Sequence, residues 1–319
     1  MLSMTAIAVV RLQSLFGVVI LFGVYSLLSA SIFVVLDAVD VAFTEAAVGA
    51  GISTVLMLAT LVSAGRTEKP SNRNPWLPLC VVGITGAALV WGTLDMPGFG
   101  DPDNPIHHHV ADRYVNASPT EVGIPNMVTS VLASYRGYDT MGEVFVVFTA
   151  LIGVLSLITI RQPRKQLPLT PAADSPDNRP FPILQVMSII LIPFIIVFAL
   201  YVQFHGDYGP GGGFQAGVIF SSAIILYTLT FGFDDAILLI PPGVVNTLAA
   251  VGVLIYAGTG VISLFKGGNF LDYGVLAHDP IHGQHIGILI IELGVGITVA
   301  SVMIAIFFAF FSRAERPIK

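Results

Sequence analysis

Eight long apolar stretches, none containing a lysine or arginine, constrain this chain more than any other feature. They run approximately over Ser14–Leu36, Phe43–Ala64, Trp76–Met96, Val144–Ile160, Pro182–Phe204, Gly213–Phe231, Val244–Phe265 and Ile286–Phe311. At 1.5 Å rise per residue, each is long enough to cross a hydrocarbon core. Continuous runs of this kind predict helices, since a span in lipid must satisfy its own backbone hydrogen bonds and a barrel would show short alternating segments. Composition agrees: 55% of the 319 residues are hydrophobic and 11% charged, against about 25% charged in soluble domains. The expected fold is all-α and polytopic, with about eight spans.

Charge in the connecting segments alternates. Arg11 precedes the first span; Arg66, Lys69 and Arg73 follow the second; Arg161, Arg164, Lys165 and Arg179 follow the fourth; Arg313, Arg316 and Lys319 follow the last. The intervening loops are mostly acidic, with Asp37 and Asp40, then Asp101, Asp103, Asp112 and Glu121, then Asp207, then Asp272 and Asp279. The positive-inside rule predicts both termini in the cytoplasm. The loop with Asp234 and Asp235 carries no positive charge and is silent. The proline- and charge-rich stretch 162–182 reads as a cytoplasmic linker between two four-helix modules, 1–161 and 183–319. Arg11 precedes a run too long for a signal peptide, so the first helix reads as a retained anchor.

In the outer loop from Pro97 to Gly142, Ile124, Met127, Val128, Val131, Leu132 and Tyr135 recur at helical spacing, while Asn126, Thr129, Ser130 and Ser134 take the other face. This predicts a short amphipathic helix lying on the membrane surface or packed on a partner.

Ionisable groups in or beside the spans are the candidates for chemistry. Glu45 falls early in the second span and Glu292 about two turns into the eighth; Asp40 and Asp95 lie at span ends; Arg136, Asp139 and Glu143 lead into the fourth. Either these acids reach outer headgroups by snorkelling, or they form an outward half-channel for protons or Na⁺. Glu292 is the deepest and needs a partner: a histidine, a backbone carbonyl or another chain. No span carries a buried base, so other polypeptides are expected to complete the conduit.

The segment His205-Gly-Asp-Tyr-Gly-Pro-Gly-Gly-Gly-Phe-Gln-Ala-Gly217 is the most distinctive motif. Pro210, Gly211, Gly212 and Gly213 interrupt any helix, and Gly213 with Gly217 makes a small-xxx-small face on the helix that follows. A tight turn between close-packed helices is one reading; a helix start whose N–H groups hold an anion or carboxylate is another. His205 and Asp207 read as a cap or a surface proton relay. His107-His-His109 and the His278, His282, His285 group lack a convincing second ligand set, so no metal site is expected. The single cysteine, Cys80, excludes an internal disulfide.

Longer motifs carry a family resemblance. Pro210 to Gly217, Asn269-Phe-Leu-Asp-Tyr-Gly274 and His285-Ile-Gly-Ile-Leu-Ile-Ile-Glu-Leu-Gly-Val-Gly296 resemble the MnhB/MrpB subunits of Mrp antiporters. Asp40-Val-Ala-Phe-Thr-Glu-Ala-Ala-Val-Gly-Ala-Gly51 and Tyr135-Arg-Gly-Tyr-Asp-Thr-Met-Gly-Glu143 are similar to MbhD- and MbhE-type segments, which also end the large MrpA subunit. The resemblance implies a fused MbhD–MbhE–MnhB polypeptide: a non-catalytic subunit of a hetero-oligomeric Na⁺/H⁺ antiporter in the cell membrane. It implies Mrp subunits, lipid, Na⁺ and H⁺ as partners, with no cofactor and no nucleic acid. Glu45 matches a glutamate implicated in the family's ion path, and Glu143 is its companion. The family's usual first helix looks truncated here, and His205-Gly206 reverses the family's Gly-His order. The alternative is the equivalent subunit of a membrane-bound hydrogenase or another redox-driven pump.

Overall fold

The computed structural model describes residues 1–68, 75–159 and 182–314. The expected linker 162–182 lies outside them except for its last residue, Pro182, which begins a helix, and so do Lys69, Arg73, Arg161, Arg164, Lys165, Arg179, Arg316 and Lys319. Eight helices are long and apolar enough to cross a membrane, and no strand occurs among the described residues.

Helix α1 (Leu2–Arg11) packs on α2 (Leu15–Val35). Apolar sequence ahead of Arg11 therefore folds as a helix of its own. Helix α3 (Val39–Glu45) passes through a π-helical stretch, Ala46–Ile52, into α4 (Ser53–Ala64), making one continuous span. Helix α5 (Trp76–Thr93) is exposed along its whole length. Helix α6 (Gly137–Thr159) closes the first half. The second half holds α7 (Pro182–His205), α8 (Gly213–Phe231), short α9 (Phe233–Leu239), α10 (Pro242–Phe265) and α11 (Pro280–Ala314).

Helix α11 is the hub. Its 35 residues pack against α8 and α10 and, from the first half, against α4 and α6. The two halves thus share one core, with Ile288, Ile291, Val299 and Phe307 near its centre. Glycine lets these helices touch at the backbone. A Cβ on Gly213 would overlap the Glu292 carbonyl and lie 2.9 Å from the Gly296 nitrogen. One on Gly217 would lie 2.7 Å from the Gly296 carbonyl, and one on Gly252 2.5 Å from the Gly294 carbonyl. Helices α8 and α10 thus meet α11 along glycine seams, a small-residue packing mode suited to lipid, where apolar burial drives little association.

The four acidic loops come together at one end of the bundle. The Asn126 N–H donates to the Asp207 carbonyl at 3.0 Å, Ser134 Oγ donates to Gln284 Oε1 at 2.8 Å, and the Tyr256 hydroxyl donates to the Gly137 carbonyl at 2.8 Å. At the opposite end, Leu15 N–H donates to the Arg66 carbonyl at 2.9 Å.

The segment expected to be an amphipathic helix is turned the other way. Met127–Thr129 is α-helical and Ser130–Tyr135 π-helical. Thr129, Ser130 and Ala133 are buried, whereas Met127 and Leu132 are exposed. The polar side faces the protein because the turn beneath it presents carbonyls that need donors.

Candidate functional site

The Gly-rich turn between α7 and α8 does not sit at the bundle's rim. It lies level with Glu292, twelve residues inside α11, about 18 Å along that helix at 1.5 Å per residue. Expected about two turns into its span, Glu292 is more than three turns in, because α11 begins at Pro280 rather than Ile286.

Local chemistry explains the descent of the turn. Gly209 N–H and Tyr208 N–H donate to the His205 carbonyl at 3.0 and 2.9 Å, and Gly212 N–H donates back to the Val202 carbonyl at 3.0 Å. Gly212 has φ +105°, a conformation open to glycine and strained for other residues. A side chain on Gly206 would meet Gly212 Cα at 2.8 Å. From above, Asn126 Nδ2 donates to the Gly206 and Gly209 carbonyls, both at 3.0 Å, and Thr129 Oγ1 donates to the Gly206 carbonyl at 2.6 Å. The roofing segment thereby satisfies carbonyls that no helix ladder reaches.

Three acids from three elements gather around this turn. A Cβ on Gly212 would be 3.1 Å from one Glu292 carboxylate oxygen and a Cβ on Gly206 3.2 Å from the other. The carboxylate therefore lies at the start of α8, where unpaired N–H groups and the helix dipole favour negative charge. From α3, Asp40 lies against the Gly211 N–H and the Asn126 amide. Asp207 is buried, and its carboxylate lies 3.2 Å from His285 Nδ1. Burial pushes Asp207 above the usual carboxylate range, and His285 draws it part of the way back. Asp40 and Asp207 both act electrostatically on Glu292. Three carboxylates gathered at one turn favour a proton or a cation among them.

The other candidates fall elsewhere. Glu45 lies where α3 enters its π-helical stretch; its carboxylate is packed beside Gly49 and Ser26 at the contact with α2. Arg136 and Asp139 form an exposed pair at 2.7 Å. Glu143 is exposed on α6, on the side that reaches Tyr256. Pro210 and Gly211 form the tip of the turn, and Gly213 and Gly217 its contact with α11.

Two expectations change. His205 does not pair with Asp207; it stacks on Tyr201 at 4.9 Å between ring centroids. His285, set aside with the loop histidines, is the residue that meets Asp207, while Asp279 accepts the His282 N–H at the start of α11. Asn126, Tyr256 and Tyr273 belong to this region and were not singled out for it. A usable signal was the glycine spacing Gly287, Gly294, Gly296, which marks where α11 admits close neighbours.

Comparison with known proteins places these elements. A family model described as a domain related to the MnhB subunit of Na⁺/H⁺ antiporter matches residues 183–305. Models for subunits D and E of MBH match residues 1–66 and 79–174. The antiporter subunit mnhB2 of Staphylococcus haemolyticus (strain JCSC1435) is 35% identical over 130 residues, covering 40% of this chain and 92% of that protein. Its counterpart in Staphylococcus aureus (strain Newman) is 34% identical, over 39% of this chain and 89% of that protein. A chain in the Mrp complex of Dietzia sp. DQ12-45-1b superposes with TM-score 0.74 and 28% identity over 99% of this chain. This chain spans 35% of that longer one. A chain of the membrane-bound sulfane sulfur reductase, an archaeal respiratory membrane complex, gives TM-score 0.55 and 29% identity over 73% of this chain and 96% of that one. Since its carboxyl-terminal half runs through nearly the whole length of relatives more than 30% identical to it, the chain belongs to the MnhB family of Na⁺/H⁺ antiporter subunits.

Proposed function

We propose that this chain is a membrane subunit of a Mrp-type Na⁺/H⁺ antiporter, shaping part of the ion path and without catalytic chemistry of its own. The observation that carries the reading is Glu292. A carboxylate more than three turns inside a spanning helix, set against a helix N-terminus with Asp40 and Asp207 in electrostatic reach, binds and releases positive charge readily. The end of the bundle bearing this site faces outward in this reading, because Arg11, Arg66 and Arg313 flank the other end. Glu45 and Glu143 then serve separate stretches of the path. Partner subunits supply the base that the spans lack.

The test is Glu292→Gln in the intact complex, with Na⁺-driven proton movement followed in everted vesicles. Exchange should fall at least tenfold while the yield of assembled complex is kept. Exchange at the wild-type rate would remove Glu292 from the path. The likeness to a respiratory reductase chain favours one second reading, the same scaffold in a redox-driven pump. Iron–sulfur subunits co-purifying with the chain would establish that reading; their absence from an active, complete complex would exclude it.

A further inference from the structure

A second polar feature leads from the bundle's surface toward Glu292. A cavity of about 410 Å³ opens beside α6, lined among others by Arg113, Glu121, Ser134, Tyr135, Gly137 and Gln284. Arg113 Nε donates to Glu121 at 3.1 Å, and the Tyr135 hydroxyl donates to the same carboxylate at 2.5 Å. Tyr135 and Arg113 hold Glu121 below the usual glutamate range. Burial, and then the bond to Glu121, push Tyr135 up to about 12. The mouth thus keeps a fixed carboxylate and a neutral phenol side by side.

Gly137 joins this cavity to two buried tyrosines. Its carbonyl accepts the Tyr256 hydroxyl at 2.8 Å. A Cβ on Gly137 would lie 3.4 Å from the Tyr273 hydroxyl and 3.7 Å from that of Tyr256. One residue of backbone therefore separates the cavity from both hydroxyl oxygens. Each tyrosine has 0% exposure. Tyr256 uses its proton on Gly137, and the Tyr273 hydroxyl faces that of Tyr256 while its own proton has no acceptor among the described residues. Leaving such a group unsatisfied costs about 1–3 kcal/mol, so phenylalanine would be the better residue if packing were its whole purpose. Leu271, at φ +64°, turns the chain so that Tyr273 enters the core, and the tyrosine ring lies flat on Gly287 of α11. Beyond the pair, Tyr256 lies in electrostatic reach of both Glu143 and Glu292. Down α11 the order is Gln284 at the cavity, Gly287 under Tyr273, then Glu292.

We infer that the Tyr273 and Tyr256 hydroxyls relay protons, by way of water entering from this cavity, between the bundle surface and Glu292. In each step a hydronium in the cavity gives its excess proton to the phenol oxygen and reverts to water, as the phenol's own proton passes to a water on the far side, which carries it on toward Glu292. The tyrosine is neutral before and after, and no charge is stranded. This matches the burial of Tyr273, which raises its pKa and disfavours a phenolate. The relay rests on the antiporter reading for its transport arm only.

Hydroxyl-radical footprinting of the intact complex tests water access without reference to transport. Tyr273 and Tyr256 should be oxidised at least tenfold faster than Phe307, an aromatic with equal, zero exposure in a purely apolar setting. Labelling at the Phe307 level would overturn the inference. Tyr273→Phe keeps the ring and removes the hydroxyl. In that variant the labelling of Tyr256 and the Na⁺/H⁺ exchange rate should each drop at least fivefold at unchanged complex yield; an unchanged exchange rate overturns the relay. A wild-type complex without exchange would overturn the proposed function, and the footprint would still decide the water route.

Discussion

Gly213→Ala adds one methyl group at the tightest contact in the bundle. That methyl would overlap the Glu292 carbonyl and sit 2.9 Å from the Gly296 nitrogen and 3.0 Å from the Glu292 carbonyl carbon. All three neighbours are backbone atoms inside α11, so no side chain can swing away. Helices α8 and α11 must separate instead, by roughly 1 Å if carbon and oxygen are to regain ordinary contact. Overpacking of this kind costs about 1–3 kcal/mol, a shift of about 5- to 150-fold in the balance between assembled and disrupted protein. Gly258→Ala is the matched control: it lies in α10 with no heavy atom within 4 Å of its added carbon. There alanine gains up to about 1 kcal/mol of helix propensity. The two substitutions therefore have opposite signs for the same chemical change. Thermal melts of the purified complex, read by fluorescence-detected size exclusion, should show Gly213→Ala melting lower and Gly258→Ala at or above wild type. Equal melting temperatures for the two variants would refute the claim that backbone contact at Gly213 sets the helix spacing.

Three further outcomes follow from the site. Asn126→Ala strips donors from the Gly206 and Gly209 carbonyls and should cost about 1–3 kcal/mol, lowering the melting temperature; an unchanged melt would mean that other groups satisfy them. Glu45→Gln should cut exchange in everted vesicles with assembly intact, and Gly49→Ala, whose Cβ would lie 2.7 Å from the Glu45 carboxylate, should cut it too by displacing that group. Wild-type rates in both would take Glu45 out of the mechanism. Asp207 has a folded pKa raised above 3.8, so its contribution to stability is complete below that value and is lost as pH rises through the raised one. Asp207→Asn should flatten the decline in melting temperature as pH rises above 3.8; an unchanged slope would refute this linkage.

The spans were legible because lipid enforces one rule along the whole chain, and charge avoidance by itself outlines all eight. The boundaries that differ by more than three residues are three helix starts. Val39, Gly137 and Pro280 begin spans expected at Phe43, Val144 and Ile286, and the missed turns carry Asp40, Asp139, Glu143, Gln284 and His285. Polar residues there read as loop, yet several of them face other protein elements rather than water. A similar inversion hid the roofing segment: Met127 and Leu132 are exposed, while Thr129 and Ser130 are buried. The acidic cluster itself is tertiary. Asp40, Asp207 and Glu292 come from well-separated elements, and no spacing rule links them. The Gly213–Gly217 seam was readable from its own periodicity, whereas its mates on α11 follow no such rule.

Exposure along the spans carries a last consequence. Helix α11 is largely enclosed, while α5 is exposed from end to end and so is Glu143 on α6. Apolar residues on α5 sit equally well against lipid or protein, so α5 does not discriminate. Glu143 does. An ionised carboxylate facing hydrocarbon near a bilayer's centre costs about 2.5–3.5 kcal/mol on insertion scales. Glu143 is six residues into α6, about 9 Å from its start and short of that centre. Its nearby charged groups in the chain, Asp139 and Arg136, are already bonded to each other. The face of α6 around Glu143 therefore carries an ionisable break in an exposed helix surface.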